Sequence, residues 1–443
     1  MKPTVFVLAS LAALSASATW TLSTEDVPSG CSHVITDGNW KLGVTKIAEG
    51  DWRLGRVWGG GNGSTYIAGE GVLDLRNVAE ETKCEAFPNG VILKSSNNGA
   101  LEKNTKITEA WFPDSFETML GNTFKEDTKL TNVVFGSGFK TIGSESFRGC
   151  SGLTTVVFNE GIETIGSYGF NGCSVLELDD FTFPVSVTTL GDHCFTGCKK
   201  ITGTLTFPGV TTVTGTYQFE DCNGMTGFSA PLLCTIAQGM FNRCTALASA
   251  SFSANLESIG ANAFNNSGAL VSFYPTTMPK LTTFGDYGLR GHRKLAADFD
   301  LSQSSLVTLG KQAFVDGENI GTVKLPESLT TLGDGCLAYN SKPRVVWFFG
   351  PPPTTVGGDA LNFKTRGYLV VGKKYASAWI ADSRVAALTD SDKALSDYPG
   401  LKTVQTSKGL SGTRPIGKWS TATGSSWHWV VEELPKGLAI YIM

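Results

Sequence analysis

From Leu130 onward, apolar and polar positions follow a pattern that returns about every two dozen residues. The stretch "LTNVVFGSGFKTIGSESFRGCSG" (130–152) runs directly into "LTTVVFNEGIETIGSYGFNGCSV" (153–175), aromatic over aromatic and Gly-Cys over Gly-Cys. Aligned on the residue equivalent to Phe170, the matching positions are Phe124, Phe147, Phe170, Phe195, Phe219, Phe241, Phe264, Leu289, Phe314, Leu337 and Leu361, spaced by 22–25 residues. A fixed period of this length marks a repeat array. Its units cannot bury an apolar face alone, so each stacks on its neighbours.

Each unit has three parts. The first, Leu153 to Phe158, places apolar side chains at 153, 156 and 158 and predicts a short strand facing a core. The second ends in Thr-Ile-Gly or a near copy at 141–143, 164–166, 189–191, 258–260, 283–285, 308–310 and 331–333. A Gly recurring after an apolar residue predicts a corner with φ > 0. The third, Ser167 to Cys173, inserts Phe170 into the core and turns the chain into the next coil. Strands of successive coils then pair at about 4.8 Å, and eleven coils extend over roughly 50 Å.

The pattern L-x-x-V-x-F/P, then I/V-x-x-I-G, then x-x-x-F-x-G-C resembles the BspA-like leucine-rich repeats of bacterial and protist surface proteins. "LPESLTTLGDGCLAYNSK" (325–342) is close to the usual unit of that family, and the similarity covers residues 107–361. The resemblance implies a repeat solenoid: a right-handed leucine-rich-repeat array, strand-rich with short helical turns, about eleven coils long and capped at both ends. It also implies a secreted or cell-surface protein linked to adhesion, host-matrix contact or aggregation between bacteria. Units beginning at Leu176, Ile201, Leu295 and Ile320 are one or two residues longer, and Leu replaces Phe at 289, 337 and 361. Irregular coils are expected there.

The flanks lack the period. Residues 1–18 read as a signal peptide: Lys2 at the start, an apolar run from Val5 to Leu14, and Ala16-Ser17-Ala18 as a small-residue cleavage site. Residues 19–106 are expected to cap the array, because a solenoid's first coil exposes a core edge. Residues 362–399 predict a strand and then a helix over Lys374–Leu388, which the resemblance implies is the C-terminal cap. In the tail, residues 400–443, "WHWVV" and "GLAIYI" suggest a hairpin. No later stretch reaches the ~20 apolar residues of a membrane-spanning helix.

Composition narrows the partners. Of the 443 residues only 17% are charged, the net charge is −4 and the pI is about 5.7. That is no basic footprint for nucleic acid or acidic lipid.

Candidate chemistry is sparse. Of ten cysteines, Cys150, Cys173, Cys198, Cys222 and Cys244 share one repeat position, which continues as Ser267, His292 and Asn340. A column of small or polar side chains at a coil corner predicts buried, reduced thiols, not bridges. Cys31 and Cys84, outside the column, form the candidate disulfide in an exported chain. Cys194 and Cys198 lack further ligands for zinc. His33, His193, His292 and His428 have no paired spacing. "GSYG" (166–169) fails the G-x-S-x-G spacing, and "GGGNGS" (59–64) lacks the Lys of a phosphate loop. Asn62-Gly-Ser and Asn265-Asn-Ser are glycosylation sequons. No catalytic constellation, cofactor or metal site is expected.

Function is then sought on the strand surface. Between the last two inward positions of each first strand lies the row Trp111, Val134, Val157, Thr182, Thr206, Ser229, Ser251, Tyr274, Asp300, Lys324 and Trp347. For Val and Thr, β-propensity is explanation enough. Trp111, Tyr274 and Trp347 are candidate ligand-binding residues, because aromatics give large contact area at low entropic cost. The leading expectation is an exported, non-enzymatic binding protein for an extracellular protein or glycan. Two alternatives stand beside it: a structural spacer of the envelope, and a secreted hydrolase with its site in the terminal regions.

Overall fold

A computed structural model of the chain describes residues 19–55, 66–339, 345–362, 368–387, 413–420 and 427–433. The expected signal peptide, residues 1–18, lies outside the described residues, as do 437–443 of the tail. The chain divides into two compact units, residues 1–161 and 162–443. Both are β-solenoids built from the same coil.

In the first unit, two parallel sheets run through the coils. One stacks Gly71–Asp74, Ile107–Trp111, Asn132–Val134 and Thr155–Val157. The other stacks Leu93–Ser96, Thr118–Met119 and Thr141–Ile142. The second sheet continues at Asp51–Leu54 into antiparallel strands Lys41–Ala48, His33–Thr36 and Thr21–Ser23. This meander buries Trp20, Trp40 and Trp52, so the core edge of the first coil is covered. The Trp20 and Trp40 indoles donate to the carbonyls of Asp74 and Val72, at 2.9 and 2.6 Å, which ties the meander to the first coil's strand.

In the second unit, the first-strand sheets are Gly203–Thr206 to Ser272–Tyr274, then Phe299–Asp300 to Tyr368–Val371. The second strands stack from Thr235–Ile236 to Thr355–Val356. The longer repeats absorb their extra residues at the strand ends. Pairing of Gly203–Thr206 with Met225–Ala230 slips at Gly203, and beyond Tyr274 the contact to Asp300 is made by Thr277.

The aligned positions from Phe124 to Leu361 are all fully buried, and Leu101 joins them one coil ahead of residue 107. That makes three coils in the first unit (Leu101, Phe124, Phe147) and nine in the second (Phe170 to Leu361). Rings of successive coils lie face to face: Phe170 on Phe195 at 5.3 Å, Phe195 on Phe219 at 5.5 Å and Phe219 on Phe241 at 5.8 Å. Backbone N–H groups at this position donate to carbonyls of the following coil, as Phe195 to Gln218 and Phe314 to Cys336, both 2.8 Å. The short helical turns are single turns, such as Cys198 N–H to the Phe195 carbonyl at 3.2 Å.

The expected φ > 0 at the Gly of Thr-Ile-Gly is not found; the left-handed residues lie elsewhere. They flank the core ring two positions on either side, as His193 (φ 51) and Gly197 (φ 76) around Phe195. Gly191 is required for a different reason: a Cβ there would stand 2.3 Å from the Ser167 nitrogen. The Thr-Ile-Gly glycine therefore permits backbone-to-backbone contact between coils.

The C-terminal cap differs from expectation in two places. The helix is shorter: a 3₁₀ turn Lys373–Tyr375 leads into Ala376–Ala381. Asp382 is extended, its carboxylate accepts from the Arg384 guanidinium at 2.8 Å, and Val385–Ala386 joins a sheet instead. The hairpin pairs Trp427–Glu433 with the upstream Thr413–Ser420, while "GLAIYI" lies outside the described residues. Trp419 explains the choice: it is buried at 5.2 Å from Trp379 and 6.2 Å from Phe348, so the upstream strand supplies a core side chain.

Candidate functional site

The outward row is seen as strand register. Trp111 pairs with Val134, which pairs with Val157. In the second unit Thr182, Thr206, Ser229, Ser251 and Tyr274 are successive partners. A separate sheet carries Asp300, Lys324, Trp347 and then Val370. The three candidate aromatics thus sit on three different sheets.

Their surroundings differ as well. Trp111 is half-buried, and the Arg76 guanidinium lies 4.2 Å over its ring, held there by a two-pronged contact to Asp74 at 2.9 and 2.6 Å. One face of this indole is already taken by a cation. Tyr274 is 53% exposed, the most open aromatic on the outward row, with the small Ser251 as its register neighbour. Trp347 is half-buried, and the exposed ring of Phe349 lies near-parallel to it at 6.1 Å and 21°. Beside this pair Lys324 Nζ meets Asp300 Oδ2 at 2.8 Å. Burial pulls the Asp300 carboxyl upward, but Lys324 and the Ser302 hydroxyl and amide outweigh it and hold it below the usual carboxylate range.

The corner column is interior. Cys150, Cys173, Cys198, Cys222, Cys244, Ser267 and His292 are fully buried. Four of these thiols donate to the carbonyl of the core Phe one coil back: Cys150 to Phe124 at 2.9 Å, Cys198 to Phe170 at 3.2 Å, Cys222 to Phe195 at 3.2 Å and Cys244 to Phe219 at 3.0 Å. Ser267 does the same to Phe241 at 2.6 Å. Burial pushes the Cys222 thiol up to about 12. These sulfurs hold coils together and are not nucleophiles. The column also contains Asp127, which has no Gly-Cys beside it in sequence. Burial raises its carboxyl to about 10, and the opposing pull of the Asn104 backbone does not offset this. His292 is driven down to about 4 by burial. Asn340 lies outside the described residues.

Cys84 is an exposed thiol in the structure and forms no bridge to Cys31. Cys31 closes a turn with Pro28, and Cys84 pairs backbone with Phe87, whose ring packs on His33 and Trp52. His193 is stacked on Tyr168 at 4.8 Å and flanked by Tyr217 at 5.2 Å, a packing role. Among the described residues no group of three or more His, Cys, Asp or Glu could hold a metal ion. Among them, too, no helix is long and apolar enough to cross a membrane.

The model of the BspA type leucine-rich repeat region matches the chain in six copies, over residues 85–177, 174–296 and 235–348. The chain belongs to this family. Its BspA-type repeats have solved structural relatives of low identity. A leucine-rich repeat protein from Bacteroides ovatus is 19% identical, covering 75% of this chain and 83% of its own, with a TM-score of 0.47. A leucine-rich cell surface protein from Faecalibacterium prausnitzii is 17% identical over 80% and 98%, TM-score 0.38. The pneumococcal vaccine antigen PcpA is 14% identical over 76% and 87%, TM-score 0.38. No curated protein matches the chain.

Proposed function

We propose that this BspA-type chain is an exported, non-enzymatic binding protein of the cell surface or its surroundings, and that its outward strand rows contact an extracellular protein or glycan. One observation carries the reading. Tyr274 and the Trp347–Phe349 pair stand outward on strands whose inward residues already fill the core. Burying such rings against a partner recovers the area that water now covers, and aromatic anchors dominate interface energies. Trp111 belongs to the same proposal with a smaller share, since Arg76 covers one of its faces.

The test has two parts. Surface labelling of intact cells producing the full chain should detect it outside the membrane. The purified mature chain, immobilised, should retain a partner from extracellular matrix or a neighbouring cell. Surface display with no retained partner would favour the spacer role. Turnover of a polymer substrate by the purified chain would favour the hydrolase.

A further inference from the structure

Next to Trp347, three successive coils of the second unit form an open cleft of about 460 Å³. Its walls come from Ser302, Gln303, Ser304 and Ser305 of one coil, Glu327 and Ser328 of the next, and Phe349 of the third. We infer that this cleft is a subsite for a neutral pyranose glycan, an assignment that rests on the binding role proposed above.

The hydrogen-bonding inventory points to that ligand class. The Ser302 hydroxyl donates to Asp300 Oδ1 at 2.6 Å, and the Ser328 hydroxyl donates to the Leu306 carbonyl at 2.8 Å. A serine has one proton and two lone pairs, so both hydroxyls face a ligand as acceptors. Glu327 adds a carboxylate. Lys374 Nζ, at 2.7 Å, and the Tyr375 hydroxyl both donate to it and hold its carboxyl below the usual range, so it stays ionised. The cleft therefore offers acceptors at Ser302, Ser328 and Glu327 beside the Gln303 and Ser305 side chains, which both donate and accept, and suits a ligand rich in hydroxyls. An acidic ligand would set a second carboxylate beside Glu327 and compete with it for the Lys374 ammonium.

Phe349 supplies the other half. Its ring is 36% exposed and is held near-parallel to Trp347, so it presents a fixed apolar face at the edge of the polar wall. The negative face of an aromatic ring attracts the C–H face of a sugar. A pyranose carries one apolar face and a rim of hydroxyl donors, which is the complement of this wall. A few oriented polar groups beside an apolar surface is the usual make-up of a small-molecule site.

The experiment uses the full mature chain, titrated with neutral oligomers of mannose, galactose and N-acetylglucosamine and, in parallel, with sialylated oligosaccharides. At least one neutral oligomer should bind. Phe349→Ala should weaken that binding at least about tenfold, and Glu327→Gln about threefold. Val185→Ala, at an exposed position several coils away, should leave it unchanged. Thermal melts confirm that each variant is folded. Equal binding by the folded Phe349→Ala and Glu327→Gln variants, or preference for the sialylated series, overturns the assignment. If no neutral oligomer binds while the chain still retains its partner, the glycan subsite fails and the binding role stands. Loss of both removes the two together.

Discussion

In the second unit, the corner column Cys198, Cys222, Cys244 and Ser267 and the outward row Thr206, Ser229, Ser251 and Tyr274 belong to the same coils but obey opposite rules. Each of these four column members is fully buried and donates one hydrogen bond to the carbonyl of the core Phe one coil back. The row has no such shared partner, and it ends in a tyrosine that is 53% exposed. The column repeats because stacking imposes one geometry on every coil. The row varies because nothing inside the solenoid depends on it. Deviations therefore mean different things: in the column they cost stability, while on the row they are free to serve a partner.

The largest expected effect separates buried from exposed sulfur. Cys84 should react with a thiol reagent promptly, while Cys198, Cys222 and Cys244 should be protected at least ~10³-fold, reacting only through opening of the coils. Mass spectrometry of labelled peptides under native conditions reads this directly. Rapid labelling of Cys222 would place the column at the surface.

Next is Phe170→Ala. The side chain is fully buried against Phe195, so its loss should cost about 3–5 kcal/mol in chemical denaturation. A loss under about 1 kcal/mol would mean that the repeat register is wrong.

Asp127 and His292, the carboxyl and the imidazole of the column, should sharpen the contrast through pH. Asp127, raised to about 10, keeps in the folded state a proton that the unfolded chain releases near pH 4. The fold therefore loses stability as pH rises from about 4 toward 10, and Asp127→Asn should gain roughly 1–4 kcal/mol at pH 7 and little at pH 4. His292 has the opposite sign. Lowered to about 4, it cannot take the proton that the unfolded chain binds below about 6.5. Stability is intact above that pH and falls by up to roughly 3 kcal/mol as pH drops to about 4. His292→Cys should flatten this acid limb in denaturation curves recorded from pH 7 to 4. An unchanged slope would show that His292 is not the group responsible.

These residues also mark how far sequence reasoning reaches. The Phe column and the Thr-Ile-Gly glycines could be read because each coil makes the same demand of the same position. The reason for the glycine could not, since close approach of one backbone to the next at Gly191 is a property of stacked coils. The coil that carries Leu101 and Asn104 has neither Phe nor Gly-Cys, so its place in the stack was hidden. Asp127 was hidden because its coil carries Phe124 but no Gly-Cys. Outside the array, the hairpin partner of Trp427–Glu433 depended on Trp419 meeting Trp379, a contact forty residues apart that no local pattern carries. The row aromatics were readable by register alone, but Arg76 over Trp111 and Phe349 against Trp347 were not. The polar wall beside Phe349 reads in sequence as ordinary serine-rich turns.

The smallest expected effect on stability belongs to the outward row, where Tyr274→Ala should change unfolding free energy by no more than about 0.5 kcal/mol. That same indifference makes the row the place to test the central claim. The direct measurement is retention of the extracellular partner by the full chain and by the Trp111→Ala, Tyr274→Ala, Trp347→Ala triple variant, with the fold checked by circular dichroism and at low and high salt. Retention by the wild type that changes little with salt, and at least about tenfold weaker retention by the folded triple variant, is the predicted result. Undiminished retention by the folded variant would contradict the account.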